Sequence, residues 1–455
     1  MDTREIALEL FLEAEKSGAY AASLVKGTLD KYAYEDSREK AFFKRLTEGT
    51  LERRITLDWV IDAYSKTPVR RMKPLIRNLL RLSVYQILYM DSVPDAAACS
   101  EAVRLAKRRG FAGLSGFVNG VLRAVVRGKE ALPWPDQKKE PVRALSVKYS
   151  LPEWIIGLWR EQYGAERAEQ IAAGAVSQRP VTIRLSRRLS KEQQREALEA
   201  VRPCVQKLSP HPLYEGAWEL AGCEGVASLP GFAEGLFYAQ DVSSMLAVSA
   251  AGIAPGMTVM DLCAAPGGKT ALAAELAAGA EGSGPGRVLA GDVSERKAAL
   301  LRENLSRMNC ENVSVSVWDA SVFMEEYREC ADVVLLDVPC SGLGVLGRKK
   351  DIRYRLRPED IDGLTQLQRQ MIDACWQYVK PGGVLLYSTC TMDRRENGEM
   401  VSYLLEHCPF EAESLDLFLP KSLHSEETAA GRCQLFCGQN DTDGFFMARL
   451  RRKNE

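Results

Sequence analysis

The chain has 455 residues, 46% of them hydrophobic and 27% charged, with a formal net charge of −1. That length exceeds one ordinary domain and can bury a sizeable core, so two or three domains are expected. The near-neutral balance excludes a strongly basic nucleic-acid coat, and there is no run of about 18 apolar residues to span a membrane.

Charge is unevenly spread: residues 1–130 carry 23 Lys and Arg against 17 Asp and Glu, and the remainder carries 37 against 44. A basic amino-terminal module joined to an acidic body fits this asymmetry. The opening MDTREIALELFLEAEK is charged and amphipathic and lacks the apolar core and small-residue cleavage site of a secretory signal. Twelve cysteines without regular pairing point to free thiols in a reducing compartment, so a cytoplasmic location is expected.

Residues 1–128 read as all-helical. Ile6, Ala7, Leu10, Phe11 and Ala14 mark one helical face. PLIRNLLRLSVYQILYM sets Leu75, Leu79, Leu82 and Leu88 among further apolar residues, which predicts a helix buried on most sides. GFVNGVLRAVVR repeats the pattern with Phe117, Val121, Leu122 and Val125. Arg77, Arg81, Arg104, Lys107, Arg108, Arg109 and Arg123 punctuate these helices. They form either solvated faces with snorkelling stems or a basic RNA-binding surface.

Three prolines among charges make residues 129–144 a linker, and 145–228 reads as a small α+β module containing the strand-like RPVTIRLS. From 229 to 455 short β-rich runs alternate with helical stretches: MTVMDL, RVLAGDV, VSVSVW, ADVVLLDV, GVLLYST and finally DGFFMARL. That rhythm predicts a doubly wound α/β sheet with ligands at the carboxyl ends of its strands.

The first of those strands runs into DLCAAPGGKT, whose tail imitates a triphosphate-binding loop. A Walker A loop needs a glycine five residues before Gly268; Cys263 stands there, and Pro266 interrupts the turn. What remains is a strand, a small-residue turn and a helix start, a device for close backbone approach to a nucleotide-like ligand. A purely structural turn has the same appearance. Asp292, Asp319 and Asp337 then end the next three strands. One such acid is often a helix cap, but three beside one loop suit a neutral or cationic nucleoside, S-adenosylmethionine rather than ATP.

Cys340 follows the fourth strand and Cys390 the fifth. If those strands are neighbours, both thiols reach the cofactor crevice. Cys99, Cys330, Cys375 and Cys408 read instead as small core hydrophobes. Cys433, Cys437 and His424 have spacing too loose for zinc, so no metal is expected. Thiols beside a methyl donor have a use. Cytosine C5 is too weak a nucleophile to attack a methyl sulfonium until a thiolate adds to C6. A second group must then help remove the C5 proton so that the thiol can leave. A carboxylate such as Asp337 beside the N3/N4 edge favours the protonated, more electrophilic ring.

DLCAAPGGKT, GDVS, LLDVPCSGLGVLGRKKDIRY, YSTCT and DGFFMARL resemble, in order, the signature motifs of RNA cytosine-C5 methyltransferases, and the amino-terminal region resembles a NusB-type RNA-binding domain. The combination is similar to the bacterial enzymes of this family that act on 16S ribosomal RNA. The resemblance covers nearly the whole chain and is strongest over 236–400. It implies three parts: an all-α NusB-like domain, a small α+β connecting module that binds RNA, and a Rossmann-like class I methyltransferase domain. It implies Cys390 as nucleophile and Cys340 as the group assisting product release, with Asp337 and Lys269 assisting in the active site. It further implies that Cys263, Ala264, Ala265, Pro266, Gly267, Gly268, Lys269, Asp292, Asp319 and Asp337 line the S-adenosylmethionine site. PVTIRLS resembles a segment that usually reads Arg-x-Asn; Arg184 is kept as an RNA contact, while Ser186 stands where the asparagine would be. A monomer acting on 16S ribosomal RNA is expected.

Overall fold

The computed structural model describes residues 2–18, 24–25, 27–29, 37–177, 179–223, 225–278, 286–439 and 441–454. The chain forms two compact units, one of Met1–Val176 with Leu346–Leu356, the other of Ser177–Val345 with Arg357–Glu455.

Unit 1 is helical. Its described helices include α1 (Thr3–Ser17), α2 (Ser37–Glu52), α3 (Arg54–Tyr64), α4 (Pro74–Tyr89), α5 (Asp95–Arg108) and α6 (Ser115–Gly128). Pro74 opens α4 at a position that has no helical N–H to satisfy, and twelve of its residues are buried. It is therefore the core helix that its sequence implies, touching α1, α2, α3, α5 and α6. In α6, Val118, Val121, Leu122 and Val125 recur at helical spacing and are the buried ones. The basic residues divide. Arg77, Arg81, Arg104, Arg108 and Arg109 pair with acids of the same unit, whereas Lys107 and Arg123 are exposed.

Three further helices, α7 (Pro141–Tyr149), α8 (Glu153–Tyr163) and α9 (Ala165–Val176), also belong to unit 1. Thr56 Oγ1 donates to Val147 O at 2.6 Å and fastens α3 to α7. The stretch expected as one module over 145–228 is thus divided: its helices up to Val176 belong to unit 1 with the amino-terminal helices, and from Ser177 its strands and remaining helix belong to unit 2. A second departure is the strap Leu346–Leu356, built into unit 1 although it follows the Pro-Cys motif. Lys350 meets Glu48 at 3.3 Å and Glu52 at 3.0 Å. The Tyr354 hydroxyl donates to Glu52 O at 3.0 Å, and the Arg54 guanidinium stacks 3.9 Å over its ring.

Unit 2 begins with a four-stranded antiparallel sheet in the order β2-β3-β1-β4, from β1 (Val181–Leu185), β2 (Lys207–Pro210), β3 (Ala217–Ala221) and β4 (Phe237–Ala239), with α10 (Lys191–Val201) between β1 and β2. The main sheet follows: β5 (Thr258–Asp261), β6 (Arg287–Asp292), β7 (Val313–Val317), β8 (Ala331–Asp337) and β9 (Val379–Thr389) run parallel. Then β10 (Phe410–Ala412), β11 (Arg432–Leu435) and β12 (Phe445–Arg452) add antiparallel, giving the path β10-β12-β9-β8-β5-β6-β7 with β11 paired to β12. Central strands such as β8 are nearly continuous apolar runs because helices cover both faces. Those helices are α11 (Val242–Ala250), α12 (Gly268–Ala278), α13 (Glu295–Arg307), α14 (Pro358–Cys375) and α15 (Gly398–His407). The strand order reverses at β5, where the outer strands β6 and β8 diverge and open a crevice at their carboxyl ends.

Candidate active site

Each strand end delivers one group to that crevice. At the end of β5, Asp261 is fully buried and accepts the Thr270 hydroxyl at 2.7 Å through Oδ2; its Oδ1 has no partner among the described residues. Burial, opposed by the Thr270 hydrogen bond and Lys269, pushes its carboxyl up to about 6. In the sequence Asp261 reads only as the polar end of an apolar run and was not among the expected site residues. Its place before the loop was the available signal.

The turn from Cys263 to Gly268 is held from several sides. Asp292 Oδ2 accepts the Ala265 N–H at 3.2 Å, and Oδ1 accepts the Val293 N–H at 2.8 Å and meets Lys297 at 2.9 Å. Pro266 O accepts from Tyr238 at 3.1 Å and from Asn304 at 2.9 Å. Gly267 has φ +111°, a backbone state that side chains disfavour. Gly291 lies against Trp318, where a Cβ would approach the indole side chain to 2.6 Å. Asp319 is exposed and accepts Ser321 N–H and hydroxyl at 3.0 and 2.6 Å, which hold its carboxyl below the usual range. It is the only one of the four strand-end acids tied up as a local turn.

Lys269, at the start of α12, reaches across to Asp337 Oδ2 at 2.7 Å, while Asp337 Oδ1 accepts the Ser388 hydroxyl at 2.8 Å. Burial pulls the Lys269 ammonium down, but Asp337, Asp261 and Cys390 outweigh it, so it stays charged. β8 and β9 are parallel neighbours, with Asp337 beside Ser388. The two thiols that follow them therefore converge: Cys340 Sγ and Cys390 Sγ are 3.3 Å apart. The contact with Cys390 and burial push the Cys340 thiol far up, and either sulfur can donate across the pair. Close backbone packing fixes the pair. Gly344 N donates to Cys390 O and Gly444 N to Gly344 O, both at 3.0 Å, and a Cβ on Gly344 would sit 1.9 Å from Gly444 O.

Arg184 does not join this crevice. It is 1% exposed, its guanidinium is paired with Glu275 of α12, and Nε donates to Gln240 Oε1 at 3.0 Å. The expected RNA contact is thus an internal brace in this structure, because every described partner of Arg184 is another buried side chain. Ser186, in place of asparagine, completes it by donating to Glu275 Oε1 at 3.0 Å. Cys99, Cys375 and Cys408 are buried and Cys330 is half-buried. Among the described residues there is no cluster of three or more His, Cys, Asp or Glu able to hold a metal.

The donor set fits S-adenosylmethionine: a turn with close backbone access, carboxylates at successive strand ends, and the unpartnered buried Asp261 Oδ1. The two lysines described beside the turn are each engaged by a carboxylate, Lys269 by Asp337 and Lys297 by Asp292.

Residues 252–451 match the family described as 16S rRNA methyltransferase RsmB/F, and residues 1–127 match the NusB family. The probable ribosomal RNA small subunit methyltransferase B of Bacillus subtilis (strain 168) is 36% identical over 453 residues, covering 99% of this chain and 98% of that protein. Ribosomal RNA small subunit methyltransferase B of Klebsiella pneumoniae (strain 342) is 31% identical, covering 100% and 99%. A solved structure described as PH0851 superposes with a TM-score of 0.79 at 24% identity, covering 99% of each chain, a likeness of fold. A methyltransferase homolog from Pyrococcus horikoshii superposes at 0.57 with 26% identity over 69% of this chain and 99% of its own. S-adenosylmethionine is the cofactor of such an enzyme. The chain belongs to the 16S rRNA methyltransferase RsmB/F family, with a NusB-family domain ahead of its methyltransferase domain.

Proposed function

We propose that this enzyme methylates C5 of a cytosine in 16S ribosomal RNA through a covalent adduct of Cys390. The observation that carries this reading is the pair of thiols 3.3 Å apart, just past the carboxyl ends of the parallel neighbours β8 and β9. Lys269 adds a positive charge near Cys390, which favours the thiolate. The Cys390 thiolate adds to C6 of the base, forming the S–C6 bond and placing the displaced electron pair on N3, where a proton is taken up. Asp337, beside the same sulfurs through Ser388 and Lys269, is the group for the N3/N4 edge. Bound S-adenosylmethionine supplies the electrophilic methyl group to the activated C5. Asp261, Asp292 and the turn Cys263–Gly268 hold that cofactor, with Asp319 at the rim. The C5 proton passes to water and C5=C6 re-forms as the S–C6 bond breaks; N3 gives its proton back to Asp337, and Cys390 departs as thiolate beside the Cys340 thiol, which assists its release. Exposed Lys107 and Arg123 of the NusB-family domain are the residues for phosphate contact. The enzyme acts as a monomer.

Incubation of each variant with 16S rRNA and S-adenosylmethionine, followed by denaturing electrophoresis, tests these roles. Cys340→Ala accumulates a denaturant-resistant protein–RNA band and Cys390→Ala forms none. The reverse pattern exchanges the two roles, and normal turnover of Cys390→Ala refutes the mechanism.

A further inference from the structure

The turn that carries Cys340 is held by one buried carboxylate that the chemistry above does not use. Glu396 is 0% exposed. Its Oε1 accepts the Ser341 N–H at 2.9 Å and Gln368 Nε2 at 3.1 Å, and its Oε2 accepts the Ser341 hydroxyl. The same Gln368 Nε2 donates to Pro339 O at 3.0 Å. Both neighbours of Cys340 in sequence are thus fastened to Glu396, one directly and one through Gln368. The Ser341 hydroxyl also lies 2.7 Å from the hydroxyl of Thr391, the residue after Cys390. Glu396 is itself fixed, because Tyr387 donates its hydroxyl to Glu396 O at 2.7 Å. A charged acceptor with three donors is a strong and directional anchor. Its loss leaves the Ser341 N–H and one Gln368 N–H unsatisfied in the interior, so the turn must move.

We propose that Glu396 is a positioning residue for release of the methylated base: it sets the Pro339–Ser341 turn so that the Cys340 thiol meets Cys390. This rests on the reading of Cys340 as the release group. Glu396 touches neither the thiols nor the proposed cofactor turn in the described contacts, so its influence on the reaction runs through Cys340.

Glu396→Gln keeps the size and one acceptor but turns the other into a donor facing the Ser341 donors. Full-length Glu396→Gln, Ser341→Ala, Cys340→Ala and wild type are compared by first-turnover methyl transfer to 16S rRNA, steady-state turnover, adduct on denaturing gels and S-adenosylmethionine binding by calorimetry. Glu396→Gln retains cofactor affinity and first-turnover transfer, loses steady-state turnover by roughly tenfold or more, and accumulates the adduct seen with Cys340→Ala. Ser341→Ala, which deletes one hydroxyl, shows the same pattern more weakly and carries the test if Glu396→Gln fails to fold. A purely structural Glu396 lowers cofactor binding and first-turnover transfer together and leaves no adduct, which overturns the proposal. Wild-type turnover in Glu396→Gln overturns it as well. If Cys340→Ala itself gives no adduct, the release role of Cys340 fails first, and the inference about Glu396 falls with it.

Discussion

Replacing Arg184 by methionine asks whether this residue braces the protein or meets RNA. In the structure the Glu275 carboxylate is wholly enclosed, and Arg184 supplies its one opposing charge; the Ser186 hydroxyl is its other described donor. Arg184→Met strands a buried carboxylate, and breaking a buried pair from one side costs roughly 3–5 kcal/mol. For a unit of this size, about 2–4 °C of melting temperature goes with each kcal/mol, giving a fall of roughly 6–20 °C. Pairing Arg184→Met with Glu275→Met removes both charges, and much of the loss returns because no ion is left unpaired. Because the chain has two units, global melting is accompanied by hydrogen-exchange mass spectrometry on peptides from β5, β8 and α12, which localises the effect to unit 2. RNA affinity is measured at several salt concentrations below the melting point. The brace predicts an unchanged salt slope. A stability loss under about 1 kcal/mol together with a shallower slope refutes it and returns Arg184 to the RNA.

Asp261 makes stability depend on pH. Its carboxyl is raised to about 6 in the fold from an ordinary 3.8, so the folded state binds the proton more tightly than the unfolded chain. The contribution is complete below the unfolded value and is lost as pH rises through about 6, a difference of about 3 kcal/mol. Asp261→Asn flattens that segment of the stability curve relative to wild type, and parallel curves for the two proteins contradict it. Charge reversal of exposed Lys107 and Arg123 to Glu weakens rRNA binding and lowers its salt slope by about one for each residue, with melting temperature nearly unchanged. An unaltered slope removes those residues from the RNA surface.

The sheet and its site were legible because each strand announces itself twice, as a β-rich apolar run and as a polar residue where the run stops. Asp292, Asp337, Cys340 and Cys390 stand out in this way, and the parallel pairing of β8 with β9 brings the two thiols together. Asp261 escaped because an acid in VMDL looks like a strand end with no ligand in view. β10 and β11 are three and four residues long and take their place by pairing with β12, a tertiary effect that short runs do not display. Glu396 hid in DRREN, where neighbouring charges suggest a solvated loop; only folding shows one of them buried. The strap Leu346–Leu356 and the division at Val176 likewise depend on contacts distant in sequence, such as Lys350 with Glu52 and Thr56 with Val147. The pairing of Arg184 with Glu275 is hidden for a related reason, since Glu275 lies on a helix far along the chain.

Bisulfite sequencing of unmodified 16S rRNA treated with the purified enzyme and S-adenosylmethionine tests the central claim most directly. The expected result is a newly protected cytosine with wild-type enzyme and none with Cys390→Ala. Methyl incorporation without any protected cytosine, or equal protection by Cys390→Ala, would contradict C5 methylation through that thiol.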